Sequence, residues 1–225
     1  MASSPSCDGL PWFAIFDLDG TLLEYEGKSH VALCEGLREA RLGEEAVSWE
    51  LHASIIGTRP ETWSREILAK LGVPPEVLSA EAYVDAYHHS MERLYSDITT
   101  MPGANELVAR LQELRVPMAI ATSSVKSSFD VKMTYHPQLL EPMAAVVTGD
   151  DPAVLRGKPA PDIFLEAARR LGAEPSRCVV FEDSPHGIAA ARAAGMFAVA
   201  IPDERLPGND FSQADQVLAT LAECR

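Results

Sequence analysis

Two carboxylates follow an apolar run near the start of the chain. In "FAIFDLDGTLLEYEG", residues 13–27, Asp17 and Asp19 stand one residue apart, and Gly20 and Thr21 come directly after. Residues two apart on a strand point the same way, so the spacing predicts both acids at one spot where the strand ends. Like charges that close repel unless one is protonated or a cation lies between them. A hard divalent cation such as Mg²⁺ prefers oxygen ligands and meets that need. The plain alternative is a turn, because Asp and Gly are ordinary turn residues.

Three further stretches weigh against the turn. "AIATSS" ends an apolar run in the hydroxyls of Thr122, Ser123 and Ser124. "GKPAPD" sets Lys158 before a segment whose Pro159 and Pro161 suit a helix start. "VVFEDS" ends another apolar run in Glu182 and Asp183. Acids and hydroxyls at three strand ends, with a lysine nearby in the order of the chain, suit phosphoryl transfer. One carboxylate attacks phosphorus and a second moves protons, while a metal, a lysine and hydroxyl or amide donors hold the phosphoryl oxygens.

These residues need a scaffold that brings strand ends together. The runs at 12–17, 116–122, 143–149, 178–183 and 197–202 have the length and apolar continuity of strands buried on both faces. Helical patterns at 103–114, 160–172 and 184–195 separate the later ones. Alternation of this kind predicts an α/β fold with a doubly wound, Rossmann-like parallel sheet, whose ligands bind at the carboxyl ends of the strands. From about Leu23 to Thr99 no strand pattern is found, only helical segments broken by Gly and Pro. The reading is a core of 1–22 and 97–225 with an inserted helical cap at 23–96. One α/β domain with a long helical excursion is the alternative.

Composition narrows the function classes. The 225 residues carry a formal net charge of −14, which disfavours nucleic acid as the partner. A small phosphate then needs local cations. No apolar run is long enough for a bilayer span, so no membrane partner is expected. The opening "MASSPSCDGL" reads as a loose tail, not a secretion signal. Cys7, Cys34, Cys178 and Cys224 form no CxxC pair, which suggests a reducing, cytoplasmic setting, with Cys178 as a small buried hydrophobe. A monomer or weak dimer is expected.

Taken in order, "DLDGT", "ATSS", "GKPAPD" and "FEDS" resemble the four motifs of the haloacid dehalogenase-like hydrolase superfamily, in its helical-cap, phosphoglucomutase-like branch. The resemblance runs from about Trp12 to Asp215. It implies Asp17 as nucleophile and metal ligand. Asp19 becomes the general acid/base, with its backbone carbonyl on the metal. Thr122 and the Ser123 amide hold the phosphoryl group, and Lys158 steadies nucleophile and phosphate. Asp183 is implied as a second carboxylate on Mg²⁺, with Glu182 beside it as a ligand or water-holder. Gly57, Thr58 and Arg59, in a loop of the insert, and Ser124 are candidate substrate contacts.

"SSFDVKMTYH" and "GDDP" add a likeness to the subgroup that holds pseudouridine-5′-phosphatase and the plant-type glycerol-3-phosphate phosphatases, although the shared chemistry does not need either stretch. After the first motif the chain reads Glu24-Tyr25-Glu26, where relatives often have Asp-Thr-Glu. The implied activity is hydrolysis of the phosphate monoester of a small metabolite, through an aspartyl-phosphate. The alternatives are a sugar phosphomutase of the β-phosphoglucomutase type and a non-enzymatic binding protein. The first would carry a histidine where Ser29 stands, beside His30. The second would be favoured by missing motif residues, and none is missing.

Overall fold

The computed structural model describes residues 12–43, 45–56, 60–206, 208 and 210–224. The expected loose tail at 1–10 and the candidate substrate loop Gly57, Thr58 and Arg59 lie outside the described residues. The chain divides into two compact units. One comprises Met1–Leu23, Thr100–Asp203 and Asn209–Arg225; the other comprises Glu24–Thr99 and Glu204–Gly208.

The first unit opens with β1 (Phe13–Phe16). The helical unit then supplies α1 (Glu26–Gly36), α2 (Trp49–Ile55), α3 (Pro60–Lys70) and α4 (Ala80–Leu94). On its return the chain adds α5 (Ala104–Glu113), β2 (Met118–Ala121), α6 (Lys126–Thr134), α7 (Pro137–Leu140) and β3 (Met143–Val147). It continues with α8 (Asp162–Leu171), β4 (Cys178–Glu182), α9 (Pro185–Ala193), β5 (Phe197–Ala200) and β6 (Gln216–Val217). The five anticipated strands are present. α6, α7 and the two-residue β6 are additions that the apolar pattern did not announce.

The sheet is parallel throughout, in the order β3-β2-β1-β4-β5-β6. The fold is α/β and doubly wound. From β1 the chain moves outward to β2 and β3, then crosses to β4 on the other side of β1, so the order reverses around β1. Ligand crevices in open α/β sheets form at such a reversal. The apolar runs are explained by double-sided burial: all four residues of β2 are buried, and Ile15 lies in register with Ala119 and Val180. Ile163, Phe164 and Ala167 of α8, with Ile188 and Ala191 of α9, complete the core on one face. Each fully buried large side chain there contributes about 1.5–3 kcal/mol. Cys178, at 0% exposure, packs within this core, and burial pushes its thiol up to about 11.

The helical unit has its own core, with Leu33, Leu37, Trp63, Ile67 and Tyr83 among its buried members. The Tyr83 hydroxyl donates to the Leu33 carbonyl at 2.9 Å. Trp49 is only partly buried; its ring stacks on His30 at 4.1 Å, and the Arg205 guanidinium lies 5.0 Å from its centroid. Arg205 also pairs with Glu24 at 2.6 Å. These contacts tie residues 204–208 to the helical unit, whereas the sequence reading left them with the core. Among the described residues no helix is long and apolar enough to cross a membrane.

Candidate active site

β1 stops at Phe16, one residue before the first acid. Asp17 still donates its amide to Phe181 of β4 at 3.0 Å, but the backbone then turns. The Leu18 carbonyl accepts from the amides of Leu22 and Leu23, both at 2.9 Å, and the Gly20 amide donates to the Leu23 carbonyl at 2.8 Å. Gly20 sits at φ +86°, a left-handed conformation that a side chain resists. A Cβ at this position would also collide with the carboxylate of Asp183. The Thr21 hydroxyl donates to Oδ1 of Asp183 at 3.0 Å. The tight turn is therefore built around Asp183.

Because the strand has ended, alternation does not aim the two acids at one partner. Asp17 faces Lys158: Nζ donates to Asp17 Oδ1 at 2.5 Å, to Glu182 Oε1 at 2.6 Å and to the Ala121 carbonyl at 3.3 Å. Asp19 faces Lys132 instead. Lys132 Nζ reaches Oδ1 at 2.7 Å and Oδ2 at 2.6 Å, and the Ser124 hydroxyl donates to Oδ2 at 2.7 Å. Lys132 was not anticipated as a site residue. Its signal was the stretch "SSFDVKMTYH", but reading that stretch required knowing that α6 carries it back to the first strand.

Burial dominates the electrostatics of the first group. It pushes the Asp17 carboxyl up to about 7 against the pull of Lys158, and the charge of Glu182 adds to the rise. Burial works against the charge of Lys158 too, yet Asp17 and Glu182 together hold it above the ordinary lysine range. Glu182 has its second oxygen engaged as well: Oε2 accepts from the Ser184 amide at 2.8 Å and the Ser184 hydroxyl at 2.9 Å. Ser184 in turn caps α9, accepting from the Gly187 amide at 3.0 Å.

Thr122 follows β2 and is 1% exposed; its hydroxyl accepts from the Ser124 amide at 3.1 Å. Ser123 packs its backbone against Gly149, where a Cβ would collide with the Ser123 carbonyl. Asp150 and Asp151 make their contacts away from Lys158: Asp150 Oδ1 accepts from the Lys126 amide and the Thr148 hydroxyl, both at 2.8 Å, and Asp151 pairs with Arg170 at 2.5 Å. His186 is exposed at the start of α9.

The expected metal set was Asp17, Asp19, Asp183 and Glu182. Among the described residues no group of three or more His, Cys, Asp or Glu side chains is placed to hold a metal ion. Glu182 is turned onto Lys158 and Ser184, and Asp19 onto Lys132 and Ser124. Of the set the likeness implies, Asp17 (which also meets Lys158), Asp183 and the Asp19 carbonyl are the oxygens that would hold the ion. That all-oxygen donor set fits Mg²⁺, which binds through one or two carboxylates and keeps several waters.

The haloacid dehalogenase-like hydrolase family matches residues 14–195. The chain is 38% identical to (DL)-glycerol-3-phosphatase 1, mitochondrial, of Arabidopsis thaliana, covering 93% of this chain and 70% of that one. It is 37% identical to a protein named probable pseudouridine-5′-phosphatase from Drosophila melanogaster, covering 93% and 89%. Among solved structures, a HAD family hydrolase from Deinococcus radiodurans R1, with bound phosphate and sodium, superposes with a TM-score of 0.77 at 28% identity, covering 96% and 93%. The four motifs, the parallel sheet that gathers them and these likenesses make the chain an enzyme that belongs to the haloacid dehalogenase-like hydrolases.

Proposed function

We propose that this hydrolase removes the phosphate of a small phosphorylated metabolite, with Mg²⁺ and an aspartyl-phosphate on Asp17. It is a phosphoric monoester hydrolase, in keeping with the phosphatases it is similar to. The observation that carries the reading is the buried chain Asp17–Lys158–Glu182 at the carboxyl ends of β1 and β4, next to a separately held Asp19.

In this reading Asp17 attacks phosphorus. The bond from phosphorus to the ester oxygen breaks, and Asp19 gives that oxygen its proton. Water then attacks the aspartyl-phosphate, Asp19 takes the water proton, and the bond between phosphorus and Asp17 breaks to release inorganic phosphate. Thr122 and the Ser123 amide hold the phosphoryl oxygens. Lys158 keeps Asp17 oriented and offsets phosphoryl charge, and Glu182 holds Lys158 in place. Asp17, Asp183 and the Asp19 carbonyl would hold Mg²⁺. Bound there, the ion supplies charge that the acidic chain lacks.

Glycerol 3-phosphate and pseudouridine 5′-phosphate are the first substrates to examine. The helical unit is assigned the role of cap. Arg59, with Gly57 and Thr58, is kept as a candidate contact to the organic part of the substrate. A cytoplasmic setting accords with Cys34, Cys178 and Cys224 standing outside any disulfide among the described residues. The test is phosphate release from these two esters and a hexose phosphate, with Mg²⁺ and with EDTA. Metal-dependent release supports the reading. Conversion of the hexose phosphate to an isomer, with little free phosphate, would replace it by the phosphomutase.

A further inference from the structure

Two stretches distinguish this chain beyond the shared motifs, "SSFDVKMTYH" and "GDDP"; the first reaches Asp19 and the second holds the backbone around the residues that do. Lys132, from the first, is 1% exposed, and its Nζ touches both carboxylate oxygens of Asp19 and the Ser124 hydroxyl, the last at 2.9 Å. Ser124 closes the triangle by donating to Asp19. The second stretch fixes this arrangement from behind. Asp150 accepts from the Lys126 amide at the start of α6, the helix that carries Lys132. The Gly149 amide donates to the Ser124 carbonyl at 2.9 Å, and its missing side chain leaves room for the Ser123 backbone.

We propose that Lys132 is a positioning residue for Asp19, fixing, together with Ser124, the carboxylate that exchanges a proton with the leaving oxygen. The proposal rests on the phosphatase reading above. Packing alone does not call for a lysine here. Its neighbours on the buried face of α6 are Phe129, at 3% exposure, and Met133, at 2%. An apolar residue of similar length would continue that face, without the penalty of taking an amine out of water. The departure from the apolar pattern is matched by contacts to both oxygens of the Asp19 carboxylate. An acid that must meet a leaving oxygen and later a water needs its oxygens held, since small misplacements of reacting groups lower rates steeply.

The consequence depends on the leaving group. When the bond between Asp17 and phosphorus forms and the ester bond breaks, an alkoxide must receive the Asp19 proton. A 4-nitrophenolate departs without one. The test is kcat/KM with Mg²⁺ for glycerol 3-phosphate and for 4-nitrophenyl phosphate, in the wild type and in Lys132→Met. The expected loss is about 10- to 100-fold for the alkyl ester and under about threefold for the aryl ester. In an Asp19→Asn background, Lys132→Met is expected to add nothing further, because residues acting through one group are not additive. Ser124→Ala, which leaves the helix intact, should show the same order of esters and carries the test if Lys132→Met does not fold. Equal losses on both esters, no loss, faster turnover of the alkyl ester, or a full additional loss in the Asp19→Asn background would each overturn the proposal. Failure of the wild type to release phosphate from either ester would instead sink the phosphatase reading, and this inference with it.

Discussion

The Asp17 carboxylate and Lys158 Nζ are 2.5 Å apart although 141 residues separate them in the chain. The lysine also holds Glu182, so one buried cation is shared by an acid just past β1 and an acid that ends the adjacent β4. This sharing ties the stability of the central strand ends to the chemistry proposed for them.

Asp17→Asn should remove the nucleophile and leave the fold in place. Phosphate release is expected to fall by about 10⁴-fold or more. Acid-quenched protein incubated with a ³²P-labelled ester should carry label in the wild type and none in the variant. Retained turnover in the variant would rule out Asp17 as the attacking group.

Lys158→Ala should cost both activity and stability. Removing the cation leaves two buried carboxylates facing each other, and breaking a buried pair in this way destabilises by about 3–5 kcal/mol. Urea denaturation measures it. A variant as stable as the wild type would mean that water or a rearranged side chain replaces the lysine.

Gly20→Ala tests the turn. The φ of +86° and the collision with Asp183 act together. The strained backbone alone costs about 1–2 kcal/mol. Displacement of Asp183 should also raise the Mg²⁺ concentration needed for half-maximal activity. A magnesium titration of activity, run beside thermal unfolding, separates the two effects.

Glu166 gives a pH-dependent contribution far from the site. The hydrogen bond from Arg169 outweighs partial burial and, with Arg170, holds the carboxyl at about 2, below its ordinary 4.5. A depressed value stabilises the folded state above the ordinary carboxylate range, and the contribution is lost as pH falls from about 4.5 to about 2. Arg169 is largely exposed and solvent screens the pair, so Glu166→Gln should cost about 1 kcal/mol at neutral pH. The gap to the wild type should close as the medium is acidified through that window. Unfolding curves at pH 7 and pH 3 check it, and a gap that widens in acid would reverse the assignment.

Much of the scaffold was legible because local rules carry it. Apolar runs bounded by Gly, Pro and polar residues mark strands buried on both faces, and the sheet contains each of the five anticipated ones. α6 escaped because its first turn opens with the polar Lys126-Ser127-Ser128 and its buried face places Lys132 among the apolar Phe129 and Met133, which breaks the apolar stripe. β6 is two exposed residues, too short for a period to register. The pairing of 204–208 with the helical unit depends on Arg205 meeting Glu24 and Trp49, partners distant in the chain.

The sequence by itself determined the α/β class, the strand ends that carry acids and hydroxyls, the Lys158 that precedes a helix, and the family likeness. These follow from residue type, short-range spacing and burial preference, each of which is written locally. Only the tertiary structure decided how the other acids are divided: Asp19 to Lys132 and Ser124, Glu182 to Lys158 and Ser184, and Asp183 to the Gly20–Thr21 turn, while Asp17 meets the lysine that the likeness implied. The reason is physical. A carboxylate's partner is set by which donors reach its oxygens, and for Asp17, Asp19 and Asp183 those donors lie more than a hundred residues away, where chain spacing carries no information about distance.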